Sequence, residues 1–222
     1  MEKIPTRLYL ASADALKDTA RFARLLKTVP DTRREKVLAY KNAEAARLSL
    51  AAGLLLEAAL RDFGLEAGEI RTGEHGKPWL PALPGFHFSL SHSGAMAMCA
   101  VSSAPVGCDI EREKENTQRI AGRFFHPAEK AWLLSLPEEE RQAAFFRIWT
   151  GKESFMKATG LGFSLPLDAF AVLPGEEPAL RQTVDPRPWR LWSYAAGEYA
   201  CALCALEEPE DAPLHTVALE QL

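Results

Sequence analysis

The chain has 222 residues, of which 47% are hydrophobic and 25% are charged, as is ordinary for a globular protein of one large domain or two small ones. Its formal net charge of −4 supplies none of the basic field that nucleic-acid-binding proteins present, which argues against DNA or RNA as the main partner. No apolar run approaches the roughly 18 residues that span a bilayer, and residues 1–6 do not resemble a secretory signal. We therefore expect a cytoplasmic protein without membrane association.

The four cysteines all lie in apolar runs that resemble strands. Cys201 and Cys204 have the spacing of a zinc-ligand pair, but the sequence has no second pair of that kind. Residues three apart on a strand point to opposite faces, so these two thiols cannot reach one metal without a bulge. We interpret all four cysteines as small core residues in a reducing compartment.

The first half is predicted to contain a long helix followed by two strands. Helix-forming residues with an apolar stripe run from 32 to 63, in one or two pieces, and Gly64 lies at the expected end. After a passage rich in glycine and proline at 73–84, the segment 86–102 predicts two strands joined around His92-Ser93-Gly94.

The second half repeats this mixture of helices and strands. A strand covers 106–111, and 119–125 is a short helix or a loop. Helical composition begins at Pro127 and, after a break at Pro137, continues to residue 158. The remaining predicted features are a helix exit at 160–162 and strands at 169–173, 189–194 and 199–206.

The two halves of the sequence echo each other. The helical segment 44–50 resembles 144–150, and each is followed by apolar strands around a small-residue turn, at 91–101 and 193–203. We predict an α+β fold of two similar halves related by a pseudo-twofold duplication, each a long helix packed on a small antiparallel sheet, with the active site between them. Chance similarity of amphipathic segments is the alternative. The expected halves are residues 1–104 and 105–222.

Two short segments place acidic side chains where a backbone would aim them in one direction. On a strand, Asp109 and Glu111 project from one face while the alternate residues enter the other. On a helix, Glu153 and Lys157 are four residues apart and share a face. The three carboxylates match the oxygen ligands that Mg²⁺ prefers. The alternatives are a solvated edge strand, a surface helix pair and a helix-capping glutamate.

Several hydroxyl and cationic side chains could hold phosphate groups. They are the hydroxyls and the imidazole of the segment 89–93, with Ser91 and His92, then Lys77 on the preceding turn, and Arg33, Arg34, Lys36 and Arg47 around the first long helix. Each also has an ordinary explanation as a turn-capping residue or as solvated surface. The sequence has neither a Walker loop nor a Rossmann glycine pattern, so any nucleotide must be held in another way.

Five motifs, in this order, resemble those of the 4′-phosphopantetheinyl transferases, specifically the long form that activates surfactin synthetase and similar assembly lines. They are Gly76-Lys-Pro78, Phe88-Ser-Leu-Ser-His-Ser93, Val106-Gly-Cys-Asp-Ile-Glu111, Arg123-Phe-Phe-His-Pro-Ala-Glu129 and Trp149-Thr-Gly-Lys-Glu-Ser-Phe-Met-Lys157. The likeness spans nearly the whole chain. Cys108 stands where a branched aliphatic residue is commoner in the family, an exchange that should leave the neighbouring carboxylates undisturbed.

The resemblance implies roles for the residues of these motifs. The Mg²⁺ ligands would be Asp109, Glu111 and Glu153. The residues that bind the donor, coenzyme A, would be Lys77, Ser91, His92, Lys152 and Lys157, with Arg33, Lys36 and Arg47 toward its 3′-phosphate. Which of Arg33, Arg34 and Lys36 meets that phosphate stays open. Lys157 would contact the pyrophosphate and support departure of the leaving group.

The implied reaction moves the phosphopantetheine arm of coenzyme A to a serine of an apo acyl or peptidyl carrier protein and releases adenosine 3′,5′-bisphosphate. Glu153 is the first candidate for the base that takes the serine proton, ahead of Glu111 or a metal-bound water. A patch with Arg119, Arg123 and Phe124 would dock an acidic carrier helix, unless its phenylalanines are core. The resemblance also implies a monomer. A non-catalytic module that binds coenzyme A and a Mg²⁺-dependent hydrolase of coenzyme A are the alternatives.

Overall fold

The computed structural model describes residues 3–114, 118–175 and 179–222. Its helices are α1 (Thr19–Leu25), α2 (Asp31–Leu38), α3 (Ala43–Asp62), α4 (Gln118–Phe124), α5 (Pro127–Ser135) and α6 (Arg141–Thr159). Its strands are β1 (Thr6–Ser12), β2 (Arg71–Thr72), β3 (Pro78–Trp79), β4 (His87–Ser93), β5 (Met96–Ser102), β6 (Val106–Arg112), β7 (Ala171–Leu173), β8 (Ala179–Arg181), β9 (Arg190–Ala196), β10 (Tyr199–Ala205) and β11 (Pro209–Thr216). Short 3₁₀ helices lie at Ala13–Lys17, Glu138–Glu140, Gly162–Ser164 and Leu167–Ala169.

The first sheet combines strands from distant parts of the chain, in the order β11-β1-β5-β4. Strand β1 pairs antiparallel with β5 and parallel with β11, and β5 forms a hairpin with β4. Helix α3 packs on this sheet through a core that includes Leu50, Leu55 and Phe88. The sheet of this half is therefore mixed, and the prediction that it is antiparallel is wrong, because β11 returns to pair with β1.

Two strands of this sheet, β1 and β11, lie outside the predicted elements. Strand β1 is buried at most of its positions and so lacks the alternation that identifies a half-buried strand. Strand β11 begins with Pro209 and lies at the edge of the sheet, where proline is tolerated but weakens the sequence signal. Because β11 joins the first sheet, this sheet contains strands from both of the expected halves, 1–104 and 105–222.

The helix predicted over 32–63 is confirmed as two pieces, α2 and α3. The break falls just before Asn42, whose side-chain oxygen accepts hydrogen bonds from the backbone N–H groups of Glu44 and Ala45. This cap satisfies donors that the first turn of α3 leaves without a helical partner. Helix α3 ends just before Gly64, which has a φ of +64°.

The second sheet has the order β6-β10-β9 and is antiparallel throughout. Helix α6 packs on it through a core that includes Ile148, Phe155 and Cys204. As predicted, α6 ends at Gly160, which adopts a φ of +78° that disfavours other residues. The α+β class is thereby confirmed for the described residues.

Strands from both sheets share an apolar cluster that contains Leu8, Cys108 and Ile110. Successive residues of a strand point to opposite faces, so the neighbouring side chains of Asp109 and Glu111 point away from this cluster. The predicted division of β6 into an apolar and an acidic face is therefore confirmed.

All four cysteines are free and buried, as predicted. Cys201 lies in the cluster shared by the two sheets, whereas Cys204 lies in the core beneath α6, so the two thiols occupy opposite faces of β10. In the described ranges, no helix has the length and apolar character needed to cross a membrane.

Candidate active site

Helix α6 lies directly on β6 because Gly107 has no side chain. A Cβ at this position would lie 2.0 Å from the carbonyl oxygen of Ser154 and 2.4 Å from the amide nitrogen of Ala158. Any side chain would therefore push the helix away from the strand. With the helix in this position, Lys157 reaches the face of β6 that carries Asp109.

Lys157, Asp109 and Ser91 form a closed hydrogen-bonded group. The ammonium of Lys157 lies 2.6 Å from Oδ1 of Asp109 and donates to the hydroxyl oxygen of Ser91 at 2.9 Å. The hydroxyl of Ser91 in turn donates to the same Oδ1 at 2.7 Å. The second oxygen of Asp109, Oδ2, is buried and has no hydrogen-bond partner among the described residues. One carboxylate oxygen is thus left for a ligand.

Glu153 and Glu111 lie within electrostatic reach of this group. Burial, together with the nearby carboxylates of Asp109 and Glu111, raises the pKa of Glu153 to about 7. Burial also raises the pKa of Glu111, although a hydrogen bond from Ser93 acts in the opposite direction. Negative charge is therefore crowded into a poorly solvated space. Within the described ranges, no three histidine, cysteine, aspartate or glutamate side chains are already arranged as a metal-binding group.

Three serines of β4 connect the two sheets. The hydroxyl oxygens of Ser89, Ser91 and Ser93 accept hydrogen bonds from the backbone N–H groups of Cys108, Ile110 and Arg112, at 3.1, 3.4 and 3.1 Å. Each pair is separated by 19 residues, so β4 and β6 run parallel at this junction. Serine side chains here take the place of a backbone ladder, and they bring Ser91 beside the acidic face of β6.

Arg33 and Lys36 of α2 line one cavity of about 390 Å³ together with His92 of β4. Arg33 crosses α3 at Gly53, where a Cβ would lie 2.9 Å from the Cγ of the arginine. Partial loss of solvation lowers the pKa of all three groups, and neighbouring cations lower that of Lys36 and His92 further. Crowded, incompletely solvated cations favour an anionic ligand.

Comparison with known proteins identifies the family. Residues 105–204, which carry the acidic side chains, match the sequence model of the 4′-phosphopantetheinyl transferase superfamily. A 4′-phosphopantetheinyl transferase of Bacillus subtilis is 39% identical over 197 residues, which cover 82% of this chain and 84% of that protein. This chain belongs to the 4′-phosphopantetheinyl transferase family.

Two further comparisons concern a second relative and a solved structure. The transferase is 40% identical over 152 residues to the 4′-phosphopantetheinyl transferase Sfp of Bacillus subtilis strain 168, which covers 67% of this chain and 68% of that protein. The crystal structure of the Thermotoga maritima holo-[acyl-carrier-protein] synthase aligns with 46% of this chain and 61% of its own, with 22% identity and a TM-score of 0.40.

Two of the cations predicted for donor binding lie apart from Arg33 in the transferase. Arg47 lines a different cavity, of about 430 Å³, which is also lined by Arg112. Lys77 donates to the backbone carbonyl oxygens of Val106 at 3.1 Å and Ala158 at 2.9 Å. Burial lowers the pKa of Lys77 to about 8. Lys77 therefore ties the turn of the first half to β6 and to the end of α6.

Lys152 does not reach the cleft of the transferase, in contrast to the prediction that it binds the donor. Its side chain is fully buried, with Nζ 2.7 Å from Oε1 of Glu129. The same ammonium donates to the carbonyl oxygens of Leu167 and Phe170, at 2.7 Å each. These three oxygens occupy all the donor capacity of the lysine, so its role is to hold α5 and the segment after α6 against α6.

The α4 segment presents one phenylalanine and buries the other. Phe124 is 38% exposed and lies under the guanidinium of Arg123, which is 5.1 Å from the ring centre, whereas Phe125 is fully buried. Arg119 is also exposed. The core interpretation therefore holds for Phe125, whereas the ring of Phe124 lies at the surface. A neighbouring groove of about 670 Å³ is lined by Arg119, Lys130, Leu133, Arg141 and Phe145, among others.

Three residues of the quoted motifs shape the site of the transferase through contacts that were not predicted from the sequence: Ser93, Gly107 and Glu129. For Ser93, the signal is the alternate spacing of serines along one strand, which places them on one side. For Gly107, it is a glycine inside an apolar strand, which marks a close approach of another backbone. For Glu129, it is the capping box with His126, in which Glu129 accepts from the backbone N–H of that residue at 2.8 Å.

Proposed function

We propose that this transferase moves the 4′-phosphopantetheine arm of coenzyme A to a serine hydroxyl of an apo acyl or peptidyl carrier protein. The observation that carries the proposal is the group of Lys157, Asp109 and Ser91, which combines a cation with a carboxylate that keeps one oxygen for a ligand. Lys157 of this group lines one cavity, and a second cavity, which shares the lining residues Gly76, Pro78 and Leu90 with the first, contains Arg33, Lys36 and His92. Such a site suits a donor that carries several phosphates.

The 3′-phosphate of coenzyme A would bind in the cavity of Arg33, Lys36 and His92. The guanidinium of Arg33 offers paired N–H groups that match phosphate oxygens, and its stem is held against Gly53. A bound phosphate would offset the mutual repulsion of the cations. The pyrophosphate would lie toward Lys157, in the cavity that Lys77 and Phe88 also line.

Mg²⁺ would be held by Asp109, Glu111 and Glu153. The fit rests on the buried Oδ2 of Asp109, which has no hydrogen-bond partner among the described residues, and on a donor set that consists only of oxygen atoms. When bound, the ion would supply charge neutralisation to the pyrophosphate of the donor.

The remaining chemistry is assigned to side chains of the chain. Glu153 would accept the proton of the carrier serine, whose oxygen forms a bond to the phosphorus that bears the pantetheine arm. The bond from this phosphorus to the bridging oxygen breaks, and the electron pair leaves with adenosine 3′,5′-bisphosphate. Lys157 would stabilise the negative charge that develops on this leaving oxygen.

The carrier would dock on the α4 surface, through Arg119, Arg123 and Phe124. The support is the combination of two exposed arginines with an exposed aromatic ring, next to a groove whose charged lining residues are Arg119, Lys130, Arg141 and Glu138. An acidic, amphipathic helix of the carrier would match both the charge and the apolar area.

We also propose that the two halves descend from one duplicated α+β unit, with the division near residue 104. Each half packs a long helix, α3 or α6, on a sheet that contains a hairpin, β4–β5 or β9–β10. Superposition of these two helix-and-hairpin units tests the idea, and units that do not superpose would rule it out.

The transferase is further proposed to be a cytoplasmic monomer. Four free, buried cysteines are what a reducing compartment would leave. Light scattering after gel filtration measures the oligomeric state, and fractionation of the source cells with antibody detection measures the location. A dimer mass or an extracytoplasmic fraction would contradict these expectations.

One assay tests the reaction. Protein, coenzyme A, Mg²⁺ and an apo carrier domain are incubated, and the masses of the carrier and of the small products are measured with and without a chelator. We expect a carrier that gains one phosphopantetheine, release of the bisphosphate, and loss of both with the chelator. Cleavage of coenzyme A without carrier modification would indicate a hydrolase, and no chemical change at all would indicate a binding module.

The role of Glu153 is tested by Glu153→Gln. Loss of a general base is expected to lower turnover by about 10²–10⁴-fold, a larger effect than the loss of affinity for coenzyme A, since the amide keeps the size of the side chain and one oxygen that can face the metal. The matched control is Glu139→Gln, which alters an exposed glutamate before α6. Unchanged turnover in Glu153→Gln would remove this residue from the mechanism.

A further inference from the structure

We propose that Ser93 is a positioning residue that holds the carboxylate of Glu111 in place for metal binding. This inference rests on the proposed Mg²⁺ site. The hydroxyl of Ser93 donates to Oε2 of Glu111 at 2.6 Å, and its oxygen accepts the backbone N–H of Arg112 at 3.1 Å. One hydroxyl therefore fixes both the end of β6 and the carboxylate that this strand carries.

Ser93 is itself held in a fixed position. It is 9% exposed and is the last residue of β4, directly before the hairpin turn at Gly94. Gly94 has a φ of +55°, and a Cβ there would lie 2.6 Å from the hydroxyl oxygen of Tyr199. That oxygen also accepts the backbone N–H of Ala95 at 3.0 Å. The turn is thus anchored to β10, and Ser93 with it.

Glu111 depends on this contact more than Asp109 depends on any one of its contacts. Among the hydrogen bonds and ion pairs between described residues, the Glu111 side chain makes only the bond from Ser93. Asp109 is held by both Ser91 and Lys157. Loss of the Ser93 hydroxyl should therefore release Glu111 and leave Asp109 in place. Residues that orient metal-binding side chains in this way commonly change metal affinity when they are removed.

Ser89 provides a matched control on the same strand. Its hydroxyl oxygen accepts the N–H of Cys108 at 3.1 Å, in the same junction and with the same spacing as Ser93. It is 5% exposed, and no carboxylate is among its described hydrogen-bond partners. Ser89→Ala thus shows how far Mn²⁺ binding changes when one hydroxyl between β4 and β6 is lost. Ser93→Ala shows the same effect together with the loss of the contact to Glu111.

The test measures Mn²⁺ binding by electron paramagnetic resonance, on the full chain with coenzyme A and without a carrier. We expect Ser93→Ala to weaken Mn²⁺ binding by about tenfold and Ser89→Ala to change it less than twofold. The Mg²⁺ concentration that gives half-maximal transfer should rise by a similar factor in Ser93→Ala, with the rate recovered at high Mg²⁺. The Michaelis constant for coenzyme A at saturating Mg²⁺ should stay the same.

A second variant covers the case in which Ser93→Ala does not fold, as judged by circular dichroism. Tyr199→Phe keeps Ser93 but removes the hydrogen bond to Ala95, and it should weaken Mn²⁺ binding by about threefold through the loosened turn. If Ser93→Ala folds, equal Mn²⁺ affinities in the Ser93→Ala and Ser89→Ala proteins would overturn the role of Ser93. If Ser93→Ala does not fold, equal Mn²⁺ affinities in the wild-type and Tyr199→Phe proteins would overturn it. Absence of Mn²⁺ binding in the wild-type protein would instead overturn the metal site itself, and the inference with it.

Discussion

The ammonium of Lys157 and the carboxylate of Asp109 form an ion pair in which one partner is buried and the other meets solvent. The two charged atoms are 2.6 Å apart, and the side chains are 30% and 4% exposed, respectively. The negative charge of Asp109 therefore lies inside the protein, whereas the positive charge of Lys157 lies at the surface of the cleft. Removing the lysine would leave a buried carboxylate without its counter-charge.

Lys157→Met should lower the free energy of unfolding by about 2 kcal/mol, less than for a fully buried pair because solvent screens the lysine. The transfer rate should fall as well. Urea unfolding measures the first effect, and Mg²⁺ should recover part of the loss if the ion binds Asp109. Lys17→Met breaks a surface pair with Asp14, 2.8 Å long, and should cost less than about 1 kcal/mol. Equal losses of unfolding free energy in Lys157→Met and Lys17→Met would contradict the expectation that the partly buried pair stabilises the fold more than the surface pair.

Gly107→Ala should damage both stability and activity. The new Cβ would meet backbone atoms of α6, so the helix must shift away from β6 and move Lys157 from Asp109. We expect a loss of about 2–3 kcal/mol in the free energy of unfolding and a strongly reduced transfer rate. Gly122→Ala in α4 is the control, because a Cβ there has no neighbour within 4 Å among the described residues. It should be neutral or stabilising by up to about 1 kcal/mol. Similar behaviour of the two variants would refute the packing argument.

Lys77 should make stability depend on pH in the alkaline range. Burial lowers its pKa to about 8 in the folded chain, whereas an unfolded lysine titrates near pH 10.4. Between these values the unfolded chain binds more protons, so the contribution of Lys77 to the free energy of unfolding rises with pH. A neutral amine still has two N–H groups for the carbonyl oxygens of Val106 and Ala158. The advantage of wild type over Lys77→Met in urea unfolding should therefore be larger at pH 9.5 than at pH 7.5, and a constant difference would disprove the shift.

Arg123→Glu should weaken carrier docking without affecting the donor. Reversal of this charge places a carboxylate opposite the acidic carrier helix, and we expect the Michaelis constant for the carrier to rise by about tenfold. The constant for coenzyme A should remain unchanged, because α4 does not line the cavity of Arg33. Arg190→Glu, on the exposed start of β9, controls for a change in net charge. Equal Michaelis constants for the carrier in the Arg123→Glu and Arg190→Glu proteins would count against docking on α4.

The elements that the sequence predicts best are those with clear periodicity or clear ends. The α3 and α6 helices, the β4–β5 hairpin and the acidic strand β6 all belong to this group. Strand β1 escapes prediction because burial on both faces removes its alternation, and β11 because its partner is remote. The conflict at Lys152 has another origin: a lysine beside a site residue resembles a ligand contact, and only the fold shows that Glu129 is within 2.7 Å.

The parallel pairing of β1 with β11 has a consequence for how the protein folds. The guanidinium of Arg7 donates to both carboxylate oxygens of Glu210, at 2.6 and 2.9 Å, across a separation of 203 residues. Contacts of such long range slow folding, because a large loop must close before they form. During synthesis, β1 lacks this neighbour until almost all of the described chain has left the ribosome, and an unpaired strand edge can pair with other chains. The first sheet is thus most vulnerable to aggregation while the chain that completes it is still being made.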